Sequence, residues 1–370
     1  MARDTIGCMP SLASLAAELG VSRTTVSNAF NNPDQLSEAL RERILAAAKA
    51  QGYAGPDPMA RSLRTQKTGA VGVVLTEELS FAFEDRASVD FLAGLSSIKN
   101  YSLTLIPACA SVHDAIVDGI VVYSVPEHDP QLQEAIARGL PLVVCDQPKQ
   151  VDAPFVGIDD YTAIQSAAHA LKAAGHTRVG ILAKRMFSTP FNGEVADVSL
   201  ADLDVQRARV EGARAVLGNV PVVTRHLNDI DSAADGAREL LARHPDLTAV
   251  LCTTDSMALG VLAAYGDRVP HDLSVTGFDG IEAAELRSLS TVRQPNHLKG
   301  TTTAALLSDL LAGGSPSSTG ISTRVLLDTE FVPGATIAPP RAERPSVKDP
   351  ELELAQGDDG GVHNVRVDFH

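Results

Sequence analysis

Two successive series of short apolar runs and intervening helical segments constrain the fold of this chain more than any other feature. Runs rich in Val, Ile and Leu are typical of parallel strands buried on both faces. The first series predicts strands at 70–75, 103–106, 119–123, 142–145 and 155–158, and the second at 179–182, 222–224, 249–252 and 274–277. Two such series predict two doubly wound α/β subdomains, which bind ligands beyond the carboxyl ends of their strands.

The composition is that of an ordinary globular protein of two or three domains. Its 370 residues are 44% hydrophobic, which excludes a disordered, collagen-like or disulfide-scaffold chain. No apolar run reaches the roughly 18 residues that a membrane helix needs. Residues 1–30 carry charges where a secretion signal would have an apolar core. We therefore expect a cytoplasmic protein with no membrane contact.

The sequence carries no signature of catalysis or metal binding. Cys8, Cys109, Cys145 and Cys252 are far apart, lack metal-ligand spacing and are expected to be buried thiols. GxSxG, HExxH, P-loop and GxGxxG motifs are absent, and the ten histidines are scattered. We predict neither an enzyme nor a metal site, and no cofactor.

The net charge of −15 is unevenly distributed along the chain. Residues 1–69 carry eight Lys and Arg against six Asp and Glu, a net charge of +2. Residues 341–370 carry −3, which leaves −14 on residues 70–340. A slightly basic head is therefore joined to an acidic body, and any nucleic acid would approach the head.

Three short helical patterns fill the head, with the spacing of a helix-turn-helix. The first begins at Ser11 and ends before Gly20, Ser22 caps the second, and the third runs from Ser37 to Gly52. The non-apolar side of the second pattern carries short donors and one arginine: Arg23, Thr24, Thr25, Ser27 and Asn28. Such side chains reach bases and phosphates from a major-groove helix. A solvated face in a small helix bundle has similar residues, so these residues alone leave both interpretations open.

Three longer stretches favour the first of these two interpretations, a helix that contacts DNA. They are LASLAAELGVSRTTVSNAFN at 12–31, LSEALRERILAAA at 36–48 followed by Gly52-Tyr53, and ARSLRT at 60–65. Together they resemble the headpiece of the lactose/purine-repressor (LacI/GalR) family of bacterial transcription regulators, and the likeness extends over residues 11–340. It implies base contacts by Arg23, Thr24 and Asn28, and phosphate contacts by Ser22, Thr25, Ser27 and Asn31.

The resemblance also implies a hinge that becomes helical on operator DNA. Its Leu63 would wedge into the minor groove, with Arg61 in the same interface, because an apolar wedge trades unstacking energy for a bent duplex that contacts more protein. The segment Tyr53-Ala-Gly-Pro-Asp57 is one residue longer than is usual in the family. The register of the hinge is therefore less well defined than that of the recognition helix.

By the same resemblance, a two-lobed core similar to periplasmic sugar-binding proteins follows the hinge. The expected divisions are a headpiece at 1–55, a hinge at 56–68, an N-lobe at about 69–160 and 292–322, a C-lobe at about 161–291 and 323–340, and a flexible tail at 341–370. The N-lobe is compressed. Residues 88–99 allow about three helical turns, and 110–118 leave little room for a helix.

Candidate effector-binding residues lie just after strands. The carboxylates Asp146, Asp159, Asp160, Asp255 and Asp279 each follow an apolar run, and carboxylates in a cleft suit the recognition of vicinal hydroxyls. An Asp at such a position is often only a helix cap or a turn residue, an alternative that stays open for Asp146, Asp160 and Asp255. The resemblance adds pocket or crossover positions at Phe81, Phe83, Arg209, Thr254 and Gln294.

The sequence therefore predicts a homodimeric, ligand-responsive regulator, a repressor, that binds a pseudo-palindromic operator. The expected effector is a sugar or a sugar derivative bound between the lobes. The alternatives are a regulator that answers a nucleoside, a purine or a partner protein, and a sugar-binding transport receptor. A transport receptor would need a signal peptide and would have no use for a helix-turn-helix.

Overall fold

The computed structural model describes residues 11–76, 79–314 and 324–341. Cys8 and, apart from Arg341, the predicted tail lie outside these residues. Within the described ranges, no helix combines the length and the apolar character that a membrane crossing requires.

Four helices make up the described headpiece and hinge: α1 (Leu12–Leu19), α2 (Arg23–Asn31), α3 (Glu38–Gln51) and α4 (Pro58–Thr65). Ser11 and Ser22 cap α1 and α2 by accepting hydrogen bonds from backbone N–H groups. Gly20 and Gly52 end α1 and α3 in the left-handed conformation that favours glycine. Ser37 occupies the N-cap position of α3, but its side chain makes no capping hydrogen bond. The buried core of this bundle comprises Leu15, Ala16, Val26, Ala29, Ile44 and Ala48.

Strands and helices alternate through the core, as the sequence predicts. The first lobe begins with β1 (Ala70–Leu75), α5 (Leu79–Glu84), α6 (Arg86–Leu95), β2 (Ser102–Ile106), β3 (Gly119–Tyr123), α7 (Pro130–Ala137), β4 (Leu142–Cys145) and β5 (Phe155–Gly157). The second lobe contains α8 (Asp160–Ala173), β6 (Val179–Lys184), β7 (Gly193–Glu194), α9 (Asp204–Leu217), β8 (Val222–Arg225), α10 (Ile230–Arg243), β9 (Ala249–Cys252), α11 (Asp255–Tyr265), β10 (Ser274–Asp279), α12 (Glu282–Leu286) and β11 (Ser290–Arg293). The chain then adds α13 (Asn296–Leu311), β12 (Arg324–Leu326) and β13 (Glu330–Val332).

Two sheets organise these elements. Among the described residues, one sheet has the parallel order β12-β5-β4-β3-β1-β2, and the other has the order β13-β11-β10-β9-β6-β8-β7. In the second sheet β7 and β13 pair antiparallel with their neighbours. Each sheet buries apolar clusters on both faces. The predicted fold class, a helical headpiece followed by a two-lobed α/β core, is confirmed.

The lobe boundaries differ slightly from the expected ones. Strand β11 extends the second sheet to Arg293, and β12 at 324–326 pairs with β5 in the first sheet. The chain therefore returns to the second lobe at 327–329, later than expected. Three-residue edge strands such as β12 and β13 carry no periodic signal, which is why the sequence did not predict them.

The expected compression of the N-lobe is present. Helix α6 has ten residues, and a 3₁₀ turn at Val112–Asp114 replaces a helix between β2 and β3. Helix α13 packs closely on α6, since a Cβ added at Gly300 would lie 2.1 Å from the carbonyl oxygen of Phe91. The expectation of buried thiols holds for Cys145 and Cys252 but is wrong for Cys109, which lies exposed in the loop after β2.

Candidate DNA-binding surface and interlobe site

Helix α2 presents its predicted polar residues on the face opposite the headpiece core. Val26 and Ala29 are buried against α1 and α3, whereas Ser22, Arg23 and Thr24 are exposed. This separation follows from the helical period, because the apolar residues lie three positions apart on one side. The other predicted contact residues of this helix are half-buried.

Several of these polar side chains are ordered by contacts within the headpiece. The Ser22 hydroxyl accepts from the backbone N–H of Thr25 at 2.9 Å, and the two hydroxyl oxygens are 2.7 Å apart. The Asn31 amide donates to the Ser27 carbonyl at 3.0 Å, and the Asn28 amide donates to Gln35 Oε1 at 2.9 Å. These contacts restrict the rotamers of the recognition face before any DNA is bound.

Helix α4 occupies the predicted hinge. Asp57 caps it by accepting from the backbone N–H of Met59 at 2.9 Å. Met59 and Leu63 are one helical turn apart and are 72% and 80% exposed, so they form an apolar stripe in contact with water. The backbone of Arg61 lies in the same helix, but its side chain lies outside the described part of the structure.

A cavity of about 80 Å³ lies between the two lobes. The first lobe lines it with residues near the carboxyl ends of β1, β3 and β4, together with α5 and the start of α6, and the second lobe with residues after β6 and at the start of α9. The lining residues are Leu75, Thr76, Ala82, Asp85, Ser88, Tyr123, Ser124, Gln147, Lys184, Arg185, Leu203, Val205 and Gln206. This is the edge at which parallel sheets bind ligands.

Polar contacts hold the lobes together across this cavity. Lys184 Nζ lies 2.9 Å from Asp85 Oδ2, and Gln147 Oε1 accepts from the backbone N–H of Val205 at 3.0 Å. Burial alone would raise the pKa of Asp85, but Lys184 and hydrogen-bond donors outweigh it and hold that pKa below its usual value. The Asp85 carboxylate is therefore ionised and paired with a cation of the other lobe.

Beside the cavity, a buried chain of charged and amide groups connects the lobes. In the second lobe, Arg209 Nε donates to Asp160 Oδ1 at 3.0 Å, and Arg209 Nη1 lies 3.6 Å from Asp279 Oδ1. The guanidinium also lies over the Phe278 ring, 3.7 Å from its centroid. The amide of Gln294 donates to Asp279 Oδ1 at 2.6 Å.

This series of hydrogen bonds and ion pairs continues into the first lobe through helix α13. Lys299 Nζ donates to Gln294 Oε1 at 2.6 Å and to Asp146 Oδ1 at 2.7 Å. Lys299 is only 1% exposed. We refer to Asp160, Arg209, Asp279, Gln294, Lys299 and Asp146 together as the interlobe chain. Thr253 connects this chain to the cavity, because its carbonyl accepts from Arg209 and its hydroxyl donates to Gln206.

Burial and pairing shift the pKa values of this chain in opposite directions. Burial raises the pKa of Asp279 to about 7 against the attraction of Arg209, and the neighbouring Asp255 and Asp85 raise it further. Burial also raises the pKa of Asp160, although Arg209 opposes the rise. For Lys299, burial favours the neutral form, but Asp146 outweighs it and raises the pKa above its ordinary value. The cations are therefore charged, whereas Asp279 is partly protonated near neutral pH.

The other predicted effector residues have different surroundings. Asp255 accepts hydrogen bonds from the Thr291 hydroxyl and from the backbone N–H groups of Gly280 and Ile281. Burial raises its pKa to about 6. Thr254 caps α11, and Asp159 is an exposed cap of α8. Thr254 therefore acts as a helix cap, whereas the contacts of Asp255 are neither a cap nor a local turn, because its partners lie at least 25 positions away along the chain.

The cavity lining includes none of the nine predicted effector residues whose side chains the structure describes. Phe83 is 55% exposed, and the side chain of Phe81 lies outside the described part. Sequence reasoning missed Asp85, Lys184, Gln206 and Lys299. Lys184 ends strand β6 and could have been found by the same strand-end rule, whereas Lys299 lies within a helix and carried no such signal.

We expect that substitution of only one partner of the Lys299–Asp146 pair will destabilise the fold. Lys299→Met leaves a buried carboxylate unpaired and should lower the free energy of unfolding by about 3–5 kcal/mol. Adding Asp146→Asn removes that charge and should recover at least half of the loss. Urea unfolding of both variants tests this. Equal stability of the single and double variants would contradict the buried pairing.

The raised pKa of Asp279 predicts a pH-dependent stability. The folded protein keeps this proton up to about pH 7, whereas the unfolded chain loses it near 4. The carboxyl therefore makes the free energy of unfolding fall as the pH rises from about 4 to 7. Asp279→Asn removes this titration, so urea unfolding from pH 5 to 8 should show the variant gaining on the wild type. A stability difference that is constant with pH would refute the assignment.

Comparison with known proteins identifies both parts of the chain. Residues 11–55 match the model of bacterial regulatory proteins of the lacI family, and residues 168–337 match a periplasmic binding protein-like domain. The HTH-type transcriptional regulator IpsA of Corynebacterium glutamicum is 47% identical over 353 residues, which cover 89% of this chain and 97% of that protein.

Solved structures agree with this match. A LacI-family transcriptional regulator from Corynebacterium glutamicum has a TM-score of 0.69 and 44% identity, covering 88% of this chain and 98% of that one. The complex of the regulator CelR with cellobiose has a TM-score of 0.61 and 26% identity, covering 88% and 99% of the two chains. These proteins are transcriptional regulators and not enzymes. The chain therefore belongs to the lacI family of bacterial transcriptional regulators, with a helix-turn-helix DNA-binding domain and an effector-binding domain.

Proposed function

We propose that this protein is a homodimeric repressor that releases or engages a pseudo-palindromic operator in response to a small molecule bound between its lobes. The observation that carries the proposal is the combination of an exposed polar recognition helix with a cross-lobe cavity in one chain. One headpiece reads only a half-site, so two-fold symmetry is required for a full operator. A protein that regulates chromosomal genes in bacteria acts in the cytoplasm.

On the DNA side, α2 lies in the major groove. Arg23, Thr24 and Asn28 read base edges, and Ser22, Thr25, Ser27 and Asn31 contact phosphates. Helix α4 lies over the minor groove with Leu63 as the wedge, and Arg61 in the same helix joins this interface. The exposed apolar stripe on α4 supports this role, because the transfer of apolar side chains from water to a position between base steps lowers the free energy.

On the effector side, the ligand is a neutral sugar or sugar derivative bound between the lobes. It must widen the interlobe cavity, because about 80 Å³ is less than the roughly 300 Å³ or more that ligand pockets occupy. Lys184 is already paired with Asp85, and Asp279 and Asp160 belong to the interlobe chain beside the cavity. Several carboxylates would therefore repel an added anion. Hydroxyl groups can instead donate to those carboxylates and accept from the cations. The CelR complex with cellobiose supports a sugar. The ligand would insert between Asp85 and Lys184 and reach the Arg209–Asp279 end of the interlobe chain.

The residue divisions follow the same scheme. Residues 1–55 form the headpiece, 56–68 the hinge, and the two lobes form the sensor, with the later crossings at 294–295 and 327–329. Effector control is a coupling free energy, since a ligand that favours one lobe arrangement also favours or opposes the hinge geometry that DNA requires. A nucleoside or a partner protein remains the second candidate, because Tyr123 is the only aromatic side chain among the described lining residues on which a sugar ring could stack.

The two classes of DNA contact predict different defects. Arg23→Ala should remove discrimination at one base position, at a cost of about 1–3 kcal/mol on the preferred base. Ser27→Ala should weaken binding about equally on all sequences. Footprinting on the promoter region of its own gene, followed by gel shifts with single-base variants, measures both.

Lys49→Ala is the matched control, because Lys49 is an exposed cation in the last turn of α3 and does not belong to the recognition helix. The reverse pattern of defects would overturn the role assignment. Failure of the wild type to protect any site at near-physiological salt would overturn DNA binding itself.

The cavity predicts which ligands stabilise the core. Neutral mono- and disaccharides, including cellobiose, should raise the melting temperature in a panel that also contains sugar phosphates and nucleosides. A ligand at a hundred times its Kd stabilises by about 2.7 kcal/mol. Gln206→Ala should abolish the shift, and the exposed Gln133→Ala should retain it. Stabilisation by nucleosides alone would favour the second candidate, and a shift that survives Gln206→Ala would exclude this cavity.

A further inference from the structure

A single carboxylate holds the backbone where the hinge enters the core. Asp118 Oδ1 accepts from the backbone N–H of Thr68 at 2.7 Å and from its hydroxyl at 2.9 Å. Asp118 Oδ2 accepts from the backbone N–H of Gly69 at 2.9 Å. The backbone N–H of Asp118 in turn donates to the carbonyl of Ala70 at 2.8 Å. Hydrogen bonds to a charged acceptor are roughly twice as strong as those to a neutral one. We refer to these contacts of Asp118 as the clamp, and they restrain the backbone at this junction.

The same junction is held from its other side. The backbone N–H of Ser102 donates to the carbonyl of Gly69 at 2.9 Å. Gly69 has a φ of +71°, a conformation that glycine adopts without steric cost. Because β1 lies between β2 and β3, the two contacts fix the hinge exit to both neighbouring strands. The end of the hinge therefore moves with the first sheet as one body.

The two clamped strands lead directly to the effector cavity. Strands β1 and β3 pair in register from Val71 and Gly119 to Leu75 and Tyr123. Leu75 and Tyr123, at the carboxyl ends, line the cavity, whereas Asp118 lies at the amino end. At a rise of about 3.3 Å per residue, the strands span roughly 17 Å. One wall of the cavity and the hinge exit are thus opposite ends of the same strand pair.

We propose that Asp118 is a positioning residue that couples the effector cavity to the DNA-binding hinge. A displacement of the cavity wall reaches α4 because the clamp fixes Thr68 and Gly69, which leaves only residues 66 and 67 between the clamp and the end of α4. Without the clamp, these residues form a flexible linker, and each hinge helix loses additional conformational freedom when it is ordered on DNA. This inference rests on the proposed DNA and effector functions, and Asp118 itself contacts neither ligand.

The test compares operator affinity among full-length variants. The probe is a duplex that carries the site protected by the wild type on its own promoter region, with a random-sequence duplex of equal length beside it. Asp118→Ala should lower affinity for the protected site at least fivefold. Asp118→Asn, which keeps an acceptor for Thr68, should cause a smaller loss. The control Asp114→Ala, at an exposed position nearby, should stay within twofold, as should random-sequence binding by every variant.

A second measurement separates positioning from a general structural role. If Asp118 acts through the hinge, Asp118→Ala should cost less than a further twofold in a Leu63→Ala background, because the wedge is already lost. Additive losses, or equal losses on the random duplex, would overturn the inference. Should Asp118→Ala fail to fold, Asp118→Asn and Thr68→Val carry the same comparison.

The outcomes also separate this inference from the proposed function. If the wild type protects no site, the proposed DNA binding fails. If the wild type protects a site and Asp118→Ala binds it with unchanged affinity, only the positioning role fails.

Discussion

The burial of charge at the junction of the lobes is the constraint on which the rest of the structure depends. Arg209 and Lys299 are almost completely buried, and each would cost several kcal/mol without a partner. Carboxylates from the ends of β4 and β10 and from the start of α8 offset that cost by pairing with the two cations. Gln294 joins the two halves of the interlobe chain. This arrangement is possible because both sheets turn the carboxyl ends of their parallel strands towards the cleft. Separation of the lobes at this point would break the hydrogen bonds that Gln294 makes to Asp279 and Lys299, whereas each cation would keep its carboxylate partner within its own lobe.

This constraint also explains how a small ligand could change the shape of the protein. The cavity lies beside the interlobe chain and is crossed by the Lys184–Asp85 pair, so a ligand must exchange its own hydrogen bonds for existing ones. A ligand that does so selects one lobe arrangement over another. Strands β1 and β3, whose carboxyl ends form part of the cavity wall, begin at the Asp118 clamp. The path from cavity to hinge is therefore made of backbone hydrogen bonds and one carboxylate, without long flexible side chains.

The charge distribution defines how the protein meets DNA. The −14 body is repelled by the duplex, and the +2 head is the surface that approaches it. Under the proposed function, two such heads would supply modest electrostatic attraction, and affinity should depend mainly on base contacts, the proposed Leu63 wedge and the linkage of two headpieces. The salt dependence of operator binding should be correspondingly shallow for a regulator of this size.

Much of the fold followed from the sequence because the signals were local and repeated. Buried parallel strands such as β1 and β3 are nearly continuous apolar runs, and the caps at Ser11, Ser22, Gly20 and Gly52 have specific backbone requirements. The site was less predictable. Carboxylates at strand ends indicate where the carboxyl edge of a sheet lies, but they do not indicate which side chain each carboxylate pairs with. Asp146 pairs with Lys299, a residue 153 positions away within a helix, and Asp255 bonds entirely to its own lobe. Such pairings depend on tertiary placement, which no local pattern encodes.

The most direct test of the account is the reciprocity between its two binding sites. Calorimetric titration of a stabilising sugar into the protein, alone and saturated with operator duplex, yields two effector affinities. If the interlobe cavity and the hinge are coupled, the ratio of these two affinities equals the ratio of operator affinities measured with and without that sugar, and it differs from one by at least fivefold. An effector affinity unchanged by operator, with the duplex demonstrably bound, would contradict coupling between the interlobe cavity and the hinge.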